Sequence, residues 1–311
     1  MTGTGTYTPT DLVAVIPEYW LPVVLEAFFA KTVAANFFLD FTDMASGGHA
    51  DIFHVANIFT NVLTSATKTT ASEVALNSPS TVDTTITATT WETVAFLIED
   101  NELQQALTSH NILERLSEQA GARLADNLED NLFALWSGVA TTVGTTSAAV
   151  TDIQIRQCIR QVEDNADGAI APKDNRAFFF YPITFWDQIM GLAKFYDASQ
   201  SGWGYGGQAP IVSGNFGPFD RSRGLVGALY GDPVFTTTNV VSSLSAYRNL
   251  YAHRDAFGFL TRTPGGNRVR IQSRYVLENL GVLVVADIIY GSAELRDLFA
   301  VVLNGSTTAT A

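Results

Sequence analysis

Cysteine is all but absent from this chain. Cys158 stands alone among 311 residues, so no intramolecular disulfide can form, and assembly in a reducing compartment fits. Charge is scarce as well: only 16% of residues are Asp, Glu, Lys or Arg, against roughly a quarter in an ordinary globular protein. Much of the surface must therefore be neutral polar or lie against other protein. Positive charge is the scarcer sign, with 18 Lys and Arg against 31 Asp and Glu and a net charge of −13. A phosphate backbone is gripped by cations that displace its counterions, so this balance excludes a free nucleic-acid binder. It leaves room for a container whose wall does not hold the nucleic acid inside it.

Long apolar runs are missing too. The stretch Leu12 to Leu39 is broken by Pro17, Glu18, Pro22, Glu26 and Lys31, which rules it out as a membrane span. Met1 to Thr10 is rich in Thr and Gly, with no basic or apolar segment, so no secretion signal is expected.

Residues for chemistry are equally sparse. His49 and His54 are five apart on a predicted strand edge and cannot share a face, while His110 and His253 are isolated; a metal site needs convergent ligands. Ser109-His110 lacks the glycine-framed turn that exposes a nucleophile. Glu163 to Gly168, with Ile170 and Asp174, has calcium-loop spacing, but Glu stands first, Asp stands last, Pro172 intrudes and a strand follows. It reads as a polar turn. Gly202, Gly204 and Gly207 fit GxGxxG, yet they follow a predicted helix and precede none, so with Gly206 they read as a flexible loop. The expectation is a protein that is not an enzyme and carries no cofactor and no metal.

What is present is architecture. The 47% hydrophobic content supports a substantial core. Residues 1–46 read as an arm with an amphipathic helix from Pro17, either packed at home or bracing a neighbour. Gly47-Gly48 opens alternation from Ile52 to Phe59, which resumes at Val82 and runs to Glu99. Between them lies a Thr- and Ser-rich stretch, making 47–99 a hairpin of about fifty residues too polar at its tip to build a core of its own, which is expected to project. Gly47 and Gly48 are placed to act as its hinge or to form an ordinary tight turn. In 100–140, Leu113, Leu116, Ala120, Leu124, Leu128, Leu132 and Leu135 step by three or four, predicting a helix over Asn111 to Trp136. Its polar face is assigned Glu114, Arg115, Glu118, Arg123, Asp126, Glu129 and Asp130. Residues 141–245 read as mixed: a helix from Thr151 or Asp152, a β run Arg176 to Tyr181, a helix Thr184 to Phe195, then strands around Leu225 and Val234. Residues 246–311 alternate in strand fashion.

The order of pieces in the last third is more telling than any one of them. Gly224-Leu-Val-Gly227-Ala-Leu-Tyr-Gly231-Asp-Pro-Val234, Thr238-Asn239, Ala252 to Phe257, Tyr275 to Asp287 with Tyr290-Gly291, Leu295-Arg296 and Ala300-Val301-Val302 together resemble the tailed-bacteriophage major capsid proteins of the HK97-like fold. Upstream, Ile16 to Trp20 resembles the family's N-arm, 47–99 its E-loop, the long helix the spine of its P-domain, and Arg176 to Trp186 part of its A-domain. The resemblance implies an α+β fold with those parts, in which the C-terminal strands return through the A- and P-domains. It implies hexamers and pentamers of the chain itself in an icosahedral shell around double-stranded DNA, assembled in the host cytoplasm. Lys68 and Glu73 are then expected at the E-loop's contact with a neighbour. Some members crosslink an E-loop lysine to a neighbour's asparagine; Lys68 is the only lysine in this segment, and no crosslinking residues are carried over. Because the chain starts directly at its arm, the resemblance implies a separate scaffolding protein, alongside a portal protein, and leaves room for a decoration protein. Two alternatives stay open: an encapsulin-type compartment enclosing enzymes, and a secreted β-rich carbohydrate-active or adhesive protein.

Overall fold

The structure is a computed structural model that describes residues 16–45, 52–57, 66–70, 73, 74, 76, 82–100, 112–165, 174–192, 224–243, 246–262 and 268–308. Gly47, Gly48, His49, Ser109, His110, Asn111, residues 166–173 of the expected polar turn, and Gly202, Gly204, Gly206 and Gly207 lie outside them.

Helix α1 (Ile16–Lys31) is followed by a single turn, α2 (Ala34–Phe37), the short strand β1 (Leu39–Asp40) and the turn α3 (Thr42–Ala45). Then come β2 (Ile52–Asn57), β3 (Val82–Thr87), β4 (Thr90–Glu99) and the long helix α4 (Ile112–Ala134), which tightens into a 3-10 turn at Leu135–Ser137. After β5 (Thr142–Val143) come α5 (Asp152–Asn165), β6 (Arg176–Phe180), β7 (Leu225–Leu229), β8 (Asp232–Thr236) and β9 (Ser242–Ser243). The last third is β10 (Ala246–His253), β11 (Phe257–Thr261), β12 (Arg270–Val276), β13 (Gly281–Glu294) and β14 (Ala300–Ser306).

These strands form three sheets. A five-stranded sheet runs β1-β11-β13-β12 with β4 along the other side of β13; a seven-stranded sheet runs β5-β14-β10-β6-β8-β7 with β9 on β10; and β2 pairs with β3 alone. The expected strand from Val82 to Glu99 is in fact two. It breaks at Ala88-Thr89, so that β3 closes the hairpin against β2 while β4 joins β13 over its full length. The break is needed because one strand cannot serve two sheets of different orientation. The helix expected over Thr184 to Phe195 is a six-residue π-helical turn, Thr184–Ile189, within the described residues.

The predicted stripe on α4 does face the core: Ala120, Leu124, Leu128 and Leu132 are buried against Val284, Ala286, Ile288 and Tyr290 of β13. The spine's other flank holds α1, whose Val24 and Phe28 are buried in the same core. The arm helix is therefore packed at home. The two helices approach so closely at Gly121 that an added Cβ would lie 2.3 Å from the Val24 carbonyl oxygen, a distance only glycine permits.

Glu129 departs from the sequence reading, which placed it on the polar face. It is 1% exposed, and its carboxylate accepts the backbone N–H groups of Val33 at 3.0 Å, Ala34 at 2.9 Å and Ala35 at 2.9 Å. These are the donors that the first turn of α2 leaves without helical partners. Burial pushes the Glu129 carboxyl up to about 7, while the three N–H groups pull the other way. Since the folded value lies above the ordinary 4.5, its contribution to stability is greatest in acid and falls as pH climbs through 7. Replacing Glu129 with Ala strands three buried donors, and we expect a loss on the order of 3 kcal/mol in denaturant unfolding. Glu118→Ala, on the exposed side of the same helix, should change stability by less than about 0.5 kcal/mol.

Candidate interaction surfaces

Among the described residues no group of His, Cys, Asp and Glu could hold a metal, and no helix is long and apolar enough to cross a membrane. Cys158 is buried, and burial pushes its thiol up to about 12, so it is not a nucleophile. What the structure offers are surfaces.

The first is the hairpin. Phe53 and Val55 of β2 turn toward Ile86, in a small core shared with Phe41, Leu260 and Leu295. Gly291 lets the hairpin base press onto β13: a Cβ there would sit 2.1 Å from the Thr87 carbonyl oxygen. The other face of β2 carries Ile52 and His54 outward, and His54 pairs with Asp83 across the strands. Beyond this rooted base, the described tip residues form no helix or strand. Lys68 and Glu73 are exposed there, together with Val74 at 64% and Leu76 at 92%. Val74 and Leu76 are thus bare aliphatic side chains in a polar stretch.

The second surface is the outer face of the five-stranded sheet. Asp287 interrupts the apolar run of β13 and is 2% exposed. Its carboxylate is held by Arg270 Nε at 2.9 Å and Nη2 at 2.6 Å, and by Trp91 Nε1 at 2.9 Å. The bidentate fork and the indole N–H satisfy the carboxylate, and the hydrogen bonds with Asp287 raise the Arg270 pKa further. The Trp91 ring is thereby fixed across the sheet while remaining 62% exposed.

The third surface is the turn between β12 and β13, where Leu277 and Leu280 are exposed. Leu280 has φ 43°, a left-handed conformation that leucine adopts only at a cost. The turn is tied to the end of β4 by the Asp100 N–H on the Leu280 carbonyl at 2.9 Å, and by Tyr275 Oη on Asp100 at 2.7 Å. A shallow groove of about 420 Å³ also runs between α1 and α4, lined by Val23, Glu26, Ala27, Lys31, Glu118 and Gln119 among others. It holds no nucleophile or metal-ligating cluster.

Sequence reasoning found the pairing of β2 with β3, and the structure leaves Lys68 and Glu73 exposed. That reasoning missed Trp91, Asp287 and Arg270, although one carboxylate inside Val284-Val-Ala-Asp287-Ile-Ile is a signal that a partner must exist. It also missed Leu280, which no periodicity flags.

No protein-family model and no curated protein matches the chain. Solved structures do. They include Mycobacterium phage Che8 at TM-score 0.64 and 15% identity, covering 88% of this chain and 90% of that one. The capsid of an empty GTA particle matches at TM-score 0.61 and 12% identity, over 89% and 90%. A virus-like particle from Pyrococcus furiosus matches at TM-score 0.57 and 10% identity, over 92% and 98%. The chain has the HK97-like α+β capsid fold.

Because Leu280 is strained and exposed, Leu280→Gly should raise the stability of the isolated chain by about 0.5 kcal/mol. A loss measured by thermal or denaturant unfolding would mean that the side chain is held within its own subunit.

Proposed function

We propose that this chain is the major capsid protein of a tailed phage, assembling with itself into hexamers and pentamers of an icosahedral shell around double-stranded DNA. It has no catalytic role. A separate scaffolding protein and a portal protein take part in assembly in the host cytoplasm, and the DNA is enclosed without specific contacts, as the net charge of −13 favours.

The observation that carries the reading is the hairpin: it is rooted in the body by Phe53, Val55 and Ile86 and carries exposed Val74 and Leu76 beyond that root. On a capsid fold such a projection serves by lying on a neighbouring subunit, with Lys68 and Glu73 at the contact and Gly47-Gly48 taking up differences in angle between five-fold and six-fold positions. Trp91, Leu277 and Leu280 add apolar surface to be covered elsewhere on the same body. Modest contacts repeated under closed symmetry suffice for a shell.

A second reading is an encapsulin-type compartment, favoured by the likeness to the Pyrococcus furiosus virus-like particle over nearly the full length of both chains. Electron microscopy of particles made with and without the neighbouring genes separates the two. Nuclease-protected DNA inside particles that need a scaffold supports the phage reading, whereas scaffold-free particles filled with an enzyme overturn it.

Deleting Thr60 to Thr81 should leave folded protein that no longer closes into shells, and normal particles from that deletion would sink the role given to the hairpin. Boiled mature particles should run as one band near 33.6 kDa on a denaturing gel, since Cys158 is single and buried and Lys68 is the only lysine of the hairpin. A ladder of multiples would show a covalent shell instead.

A further inference from the structure

The chain passes between its two large sheets twice in the last third, and the two passages lie side by side. On the first, β10 ends at His253, a turn at Arg254–Ala256 follows, and β11 begins at Phe257 in the other sheet. On the return, β13 ends at Glu294, and Asp297–Phe299 lead into β14. The backbone N–H groups of Leu295 and Arg296 donate to the Ala256 carbonyl at 2.8 and 3.1 Å. Arg296 also pairs with Asp255 at 3.1 Å.

His253 is set into this join. It is 2% exposed, and its ring lies edge-on to Phe299 with centroids 5.6 Å apart. Nδ1 accepts the Asp255 backbone N–H at 3.1 Å, which places the proton of the neutral ring on Nε2. Nε2 is buried with no hydrogen-bond partner. A second ring proton therefore has an immediate structural consequence. Nδ1 becomes a donor and can no longer accept from Asp255. It faces the Asp255 carboxylate at 4.0 Å instead, where Arg296 is already bound.

We propose that His253 is an acid-sensitive release at this double crossover: its protonation breaks the Asp255 N–H contact that fixes the first passage and sets the imidazolium in competition with Arg296 for the Asp255 carboxylate that joins the two, loosening one sheet relative to the other.

The surrounding charges set the direction. Burial comes first in holding the imidazole below its usual 6.5; Arg176, opposite His253 in the β6 pairing, and Arg296 act the same way, while Asp255 and Asp174 oppose them. Arg176 is itself paired with Glu163 on α5 at 3.1 Å. A folded value below the unfolded one means that this contribution to stability is complete above 6.5 and is lost as pH falls below it. One nearby pair works in the opposite sense. Glu294 is pushed up to about 7 by burial and by Asp297, so it takes up its proton before the window in which His253 acts.

Hydrogen exchange of the full-length chain, corrected for intrinsic rates, tests this between pH 7.5 and 5. Protection of the Leu295 and Arg296 amides should fall as pH drops below 6.5, by up to tenfold per pH unit, while the Tyr251 and Val301 amides within the sheet stay protected. In His253→Asn, a side chain that can still accept from Asp255 but does not titrate, protection should be flat across the range. A flat wild type, or an equal slope in the variant, overturns the proposal. Should the variant not fold, NMR titration of the wild-type His253 ring decides the matter: a midpoint below 6.5 is expected, and one at or above it is incompatible with the release.

Discussion

The fold depends on one buried carboxylate. Glu129 projects from α4 into the apolar space between the spine helix and the arm, and accepts the three N–H groups of Val33, Ala34 and Ala35. Its cost is the desolvation of a charge; its return is that three backbone donors, otherwise stranded in an apolar core, are satisfied together. Fixing those residues points Phe38 into the core, where its ring meets Phe179 of the seven-stranded sheet and Phe257 of the five-stranded one. It also sends β1 alongside β11 in parallel. The arm, the spine and both sheets thus share one core, and Gly121 supplies the clearance that lets the arm helix come so near.

That rigid body contrasts with what it leaves uncovered. The same chain that buries Glu129, Asp287 and Arg176 with partners leaves Val74, Leu76, Trp91, Leu277 and Leu280 facing outward. Trp91 is even held in place by a buried carboxylate, so its exposure is built in and not a matter of loose packing. Scattered single apolar residues on a surface need no explanation. A strained leucine and a clamped tryptophan are different, because each holds an exposed apolar side chain in a fixed place.

Legibility in the sequence followed periodicity. The leucines of α4 and the alternation of β2, β4 and β13 were readable because burial on one face imposes a repeat of 3.6 or 2 on the chain. The order of the glycine and apolar segments from Gly224 to Val302 carried the fold family. Residue type misled where periodicity did not: Glu129 shares its flank of the helix with buried Ala125, Phe133 and Trp136, and only its being a carboxylate suggested the polar face. The strand break at Ala88-Thr89 was hidden because alternation continues across it, and what separates β3 from β4 is the choice of partner.

By itself the sequence determined the class of fold, the long helix and the β2–β3 hairpin, since these rest on composition and local repeat. Only the tertiary structure decided which polar residues are buried, which glycines are obligatory and which apolar residues are left bare. Those depend on contacts between residues far apart in the chain, such as Glu129 with Val33, Gly121 with Val24 and Asp287 with Trp91, and no local pattern encodes the distance between them.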